Sequence, residues 1–146
     1  MRALIRVGLT LLCLLESILG TWAQFFPRAF FDHFPTINLD PPYSEHVTRD
    51  FGGATLGIAI ILGVAAWTME RRIVLIGLIA YLAFALPHLI FHITHLANFT
   101  PTEAIGLTVT LLIPPLGAAT LITLSATRLD REHTSPQNIP QETGQQ

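Results

Sequence analysis

The chain has 146 residues, of which 51% are hydrophobic and only 12% charged, with a mean hydropathy of +0.53 and a formal net charge of −2. That is about half the charge of an ordinary soluble domain, so a soluble globular class is excluded. The lack of a basic face excludes a nucleic-acid-binding surface. The single cysteine, Cys13, excludes an intrachain disulfide.

Four apolar stretches each approach the length of about 20 residues needed to cross a hydrocarbon core. They cover about 4–22, 47–68, 73–97 and 104–127, with an outer loop over 23–46 and a polar tail over 128–146. The predicted fold class is therefore all-α, a polytopic four-transmembrane-helix bundle with a disordered cytoplasmic tail and the lipid bilayer as its solvent. All eight basic residues are arginines. Arg2, Arg6, Arg71, Arg72, Arg128 and Arg131 fall on one side and only Arg28 and Arg49 on the other. The positive-inside rule then expects both termini in the cytoplasm of a multi-pass cell-membrane protein.

The first span has a competing reading. Arg2, the apolar run and "GTWAQ" resemble a signal peptide cleaved after Ala23. Glu16 opposes it, because a signal peptide seldom carries an ionisable group in its apolar run, and the uncleaved helix is the expectation. In the outer loop, "QFFPRAFFDHFP" alternates phenylalanines with Arg28, Asp32 and His33. Such a segment suits the membrane interface, where rings bury their faces and charges reach water. Covering the top of the bundle is favoured over forming a lid.

"DPPYSEHVTRDFGG" marks a helix start. Pro41 and Pro42 cannot continue a preceding helix, Ser44 is a good N-cap, and Glu45 suits the positive end of the helix dipole. Glu45 with Arg49 and His46 with Asp50 form i,i+4 pairs. Gly53 and Gly57 would let another helix approach closely.

The third span ends in "PHLIFHITH". At 100° per residue, His88, His92 and His95 share an arc of about 60°, with Tyr81 and Phe84 on the same face. Lipid cannot satisfy imidazole nitrogens, so this stripe should face protein or a cleft. At 1.5 Å per residue, His88 lies about 22 Å above Ile73 and Glu16 about 18 Å above Leu4. The two are therefore expected to meet.

Three readings of the stripe compete. The first is a polar packing network joining the histidines to Glu16, Asp50 or His46. The second is a metal site drawn from His88, His92, His95, Glu16, His46 and Asp50, since imidazoles at i and i+4 with a carboxylate make a workable donor set. A haem belongs to the same reading, with His46 as the axial partner at suitable height. The third is a protonatable site for a quinone, a lipid headgroup or another small molecule. H-x-x-x-H-x-x-H lacks the glutamate of H-E-x-x-H, and the repeated histidine boxes of membrane di-iron oxygenases are absent. Cofactor and reaction stay open, and so do a homo-oligomer and an accessory place in a larger membrane complex.

In the fourth span, Pro114–Pro115 should kink or break the helix. Thr102 is the expected cap near Glu103, and the span's threonines can bond back to their own helix. "RLDREHTSPQNIPQETGQQ" reads as the disordered tail.

Taken together, "WAQFFPRAFFDHFP", "PPYSEHVTRDFGG" and "PHLIFHITHL" resemble a group of small uncharacterised integral membrane proteins of high-GC Gram-positive bacteria. The resemblance covers about Trp22 to Leu96. It implies a four-helix membrane protein with its polar motifs near one surface, and it carries no activity. The architecture is also loosely similar to that of DoxX-type proteins.

Overall fold

In a computed structural model of the protein, residues 1–39 and 42–133 are described, with side chains described as far as Ala126. All regular structure among them is helical: α1 (Arg2–Phe25), α2 (Pro27–His33), a 3₁₀ turn (Ile37–Leu39), α3 (Glu45–Thr68), α4 (Arg71–Thr94) and α5 (Pro101–His133). Helices α1, α3, α4 and α5 are each long and apolar enough to cross a membrane.

Local chemistry sets the ends of these helices. Phe26 leaves helical geometry and Pro27 opens α2, the position where a missing N–H costs nothing. Ser44 caps α3, its hydroxyl accepting from the Val47 N–H at 3.4 Å, with Glu45 in the first turn. Met69 closes α3 in the left-handed region at φ 52°, and its N–H donates to the Ala65 carbonyl. At the start of α5 the cap is Thr100 rather than the expected Thr102. The Thr100 hydroxyl accepts from the Glu103 N–H, and the Glu103 carboxylate accepts from the Thr100 N–H at 2.9 Å. This reciprocal capping box needs threonine three residues before the glutamate, a spacing that Thr102 lacks.

Helix α5 runs through Pro114 and Pro115 as one element and continues from Arg128 to His133, the first part of the expected disordered segment. The remainder of that tail, 134–146, lies outside the described residues.

α1 packs most extensively on α3 and α4 on α5, with a lesser α3–α4 contact and a small α1–α5 contact. The core is layered along the bundle. At the end holding the N-terminus and the Arg71–Arg72 turn it is aliphatic: Ile5, Leu9, Leu62, Val74, Leu78 and Leu121. The Arg71 guanidinium there donates to the Ser125 carbonyl at 3.4 Å, tying α4 to α5.

Toward the opposite end, α1 and α3 come so close that only glycine fits. A Cβ on Gly52 would lie 2.5 Å from the Gln24 nitrogen, and one on Gly20 would lie 2.9 Å from the Leu56 nitrogen. The expected contact glycines are corrected here. Nothing lies near Gly57, and Gly53 meets only the Gln24 side chain at 3.6 Å. Gly52 and Gly53 differ by 100° around the helix, and the backbone contact falls on Gly52.

The segment between α1 and α3 is more ordered than a bare connection. Helix α1 extends three residues past its expected end at Trp22, and α2 folds back over the α1–α3 pair, burying Phe30 to 2% exposure. This matches the expectation of a segment covering the top. The Asn98 amide donates to the Leu39 carbonyl at 3.1 Å and joins the two connections at that end.

Candidate functional site

The third-span histidines do not act as one group. Helix α4 ends at Thr94, so His95 lies beyond the helix whose face it was expected to share. Its N–H bonds to the His92 carbonyl at 3.1 Å, three residues back, which tightens the terminus. The His95 Nδ1–H donates to the Phe91 carbonyl at 2.8 Å, and the ring stacks on Phe91 with centroids 4.1 Å apart. Local bonds at the helix end thus turn His95 away from the other two.

His88 and His92 do adjoin, one turn apart on α4, with ring centroids 4.6 Å apart and planes at 73°. His88 is held by phenyl rings. It stacks on Phe84 of α4 at 5.5 Å and 15°, and on Phe51 of α3 at 5.8 Å and 28°. Phe51 also packs on Phe30 of α2 at 5.9 Å, and Phe30 on Trp22 of α1 at 5.5 Å. A continuous layer of rings therefore runs from α1 through α2 and α3 to His88 and His92. Offset and edge-on pairs at these separations are the favourable aromatic geometries. Phe84 was legible from helical periodicity, whereas Phe51 was missed. Only its place one residue past Asp50, near the start of α3, pointed to it.

The carboxylates lie elsewhere. Glu16 is 5% exposed and lies level with Tyr81, itself 3% exposed, rather than with His88. The expected Glu16–His88 meeting is corrected by the helix register. Cys13 of α1 reaches the Ala59 carbonyl of α3 at 3.3 Å, and Gly77 of α4 lies against Ile61. Those contacts set Glu16 level with Tyr81, about two turns of α4 from His88. Measuring both depths from the first apolar residue assumed that spans start at one level, and they do not.

His46 and Asp50 form their expected pair, Nε2 to Oδ2 3.2 Å, on the exposed side of α3 with side-chain exposures of 85% and 66%. His46 thus pairs with Asp50 and takes no part in the ring contacts of His88 and His92. Arg49 pairs with Glu45 at 2.9 Å and also donates to the Gln24 carbonyl at the end of α1. It thus supplies a cation and a donor where the helix dipole is negative. On α2, the Asp32 carboxylate accepts from Arg28 at 2.8 Å, and that hydrogen bond and charge raise the guanidinium above its ordinary pKa. Arg28 also lies 5.1 Å over the Tyr43 ring.

Among the described residues, no group of three or more His, Cys, Asp or Glu side chains is placed to hold a metal ion. The six expected ligands divide into the His88–His92 pair, the separate His95, the exposed His46–Asp50 pair, and Glu16 beside Tyr81. Comparison with protein-family models, curated proteins and solved structures gives no match to the chain.

Proposed function

We propose that the chain is a multi-pass protein of the cell membrane with both termini cytoplasmic, and that its outward histidine–aromatic layer is a packing network. In this role His88 and His92 hold α4 against α3 and, through Phe51 and Phe30, against the covering helix α2. The observation that carries this reading is the stacking of the His88 ring on both Phe51 and Phe84. A neutral imidazole supplies a flat aromatic face, and stacking uses that face without requiring a ligand. Helices in lipid gain little from burying apolar surface against one another, so shape-matched contacts of this kind decide how they associate. The orientation rests on the arginine asymmetry, six against two.

Thermal unfolding and composition of the detergent-purified protein test the proposal together. His88→Phe, which keeps a ring in the slot, is expected to melt close to the parent, while His88→Ala melts lower. Stoichiometric metal or a visible haem band, lost in a His92→Ala variant that still folds, would overturn the packing role in favour of a bound group.

A further inference from the structure

Glu16 lies on the buried stripe of α1 with Leu9, Leu12, Gly20 and Ala23. No hydrogen bond or ion pair reaches its carboxyl among the described residues, and the residue is 5% exposed. Tyr81 of α4 lies at its level across the bundle by the helix register, and the Tyr81 hydroxyl makes no hydrogen bond among the described residues.

The other packed elements bring no charge to it. From Gly52 to Thr68, α3 carries no titratable side chain, and neither does α5 from Ala104 to Ala126. Cys13 of α1 is engaged with the Ala59 carbonyl. On α2, Arg28 and Asp32 pair with each other at the surface, and His33 bonds the Ala29 carbonyl. His88, the next ionisable residue along α4, is about two turns away, within the ring stack of Phe51, Phe84 and His92.

An ionised carboxylate so placed would give up its hydration with no cation in reach. The neutral acid gives up far less and keeps an O–H to donate. The packing leaves one side less closed. From 101 to 114, α5 contributes no buried residue, and a Cβ on Gly8 of α1 would meet Leu121, well into the second half of α5. The α1–α5 seam thus closes at the Arg71–Arg72 end and is loose beside Glu16.

We propose that the Glu16 carboxyl, with Tyr81 at its level across the bundle, is an intramembrane proton-binding site separate from the histidine–aromatic layer. Release breaks the carboxyl O–H bond and passes the proton to a water molecule in the seam. The carboxylate left behind accepts a hydrogen bond from Tyr81. Uptake is the reverse, and no other reactant takes part. The site does not rest on the packing role of His88, and its test does not touch that residue.

Carbodiimide labelling of the full chain in phosphatidylcholine vesicles at neutral pH tests it, read by mass spectrometry of the Glu16 peptide. The acid O–H adds across a C=N bond of the reagent, its proton going to nitrogen and its oxygen to carbon. The O-acylisourea so formed rearranges to a stable N-acylurea, and nothing leaves. Dicyclohexylcarbodiimide, which enters from lipid, is expected to label Glu16 several times faster than a water-soluble carbodiimide. Glu16→Gln should abolish the label, and Tyr81→Phe should change its rate severalfold in protein that melts like the parent. Equal labelling by both reagents would put the carboxyl in water and overturn the site. So would labelling by dicyclohexylcarbodiimide only after unfolding in dodecyl sulfate. An unchanged rate in Tyr81→Phe would overturn the pairing with the hydroxyl.

Discussion

At His88 an imidazole occupies the place of a phenyl ring within a phenylalanine stack, and its neighbours decide what its loss costs. His88→Ala removes contacts to Phe51, Phe84 and His92 together, and a loss of about 2–3 kcal/mol is expected from the truncation of a partly buried ring. His88→Phe should stay within about 1 kcal/mol of the parent, because shape-conserving replacements are tolerated best. The pair His88→Ala and Phe51→Ala should show a coupling of about 0.5–1.5 kcal/mol, the range of a direct aromatic contact. Glu16→Leu and His88→Leu, by contrast, should be additive within about 0.5 kcal/mol, since the two residues share no partner. Thermal unfolding in one detergent, with each single and double variant, measures all of these. A large Glu16–His88 coupling would mean that the register placing Glu16 beside Tyr81 is wrong.

Between elements, the α1–α3 crossing depends on the absence of side chains at Gly20 and Gly52. Gly52→Ala would press a methyl against the Gln24 backbone, which has no flexible end to move aside, and overpacking of that kind costs about 1–3 kcal/mol. Gly57→Ala meets nothing within 4 Å and should be neutral or slightly stabilising, because alanine is the better helix former. The two melting temperatures in detergent separate the register seen here from one through Gly53 and Gly57, where the larger loss would fall on Gly57. The four helices and the Ser44 cap were legible because span length, proline positions and cap chemistry are local properties. The contact glycine was not. It depends on how α3 is rotated against α1, and adjacent glycines offer the sequence two faces to choose between. The end of α4 was hidden for a similar reason, since the apolar run continues past Thr94 while the Phe91 and His92 carbonyls draw His95 out of the helix.

Across the whole molecule, the bundle has two chemically distinct ends, and that polarity was partly visible beforehand. The motifs rich in aromatics, histidine and carboxylates sit at one end as their order along an alternating chain requires, while grouping them by helical phase and depth did not reproduce their partners. Helical phase predicts a shared face but cannot say which neighbouring helix covers it, so Phe84 was found, Phe51 was missed, and Glu16 went to Tyr81. The same polarity makes a topological prediction. Arg2, Arg6, Arg71 and Arg72 belong to the aliphatic end, whereas Arg28 and Arg49 lie at the aromatic end within ion pairs to Asp32 and Glu45. Orientation follows the number of arginines near the span ends and is little affected by acidic neighbours, so the count at each end carries the prediction. In a Cys13→Ser background, Ala29→Cys on α2 should therefore react with a membrane-impermeant maleimide in intact cells, and Ser135→Cys should react only after permeabilisation. Strong labelling of Ser135→Cys in intact cells, with Ala29→Cys protected, would invert the protein in the membrane. The histidine–aromatic layer would then face the cytoplasm, and the arginine asymmetry would have been outweighed by the first helix.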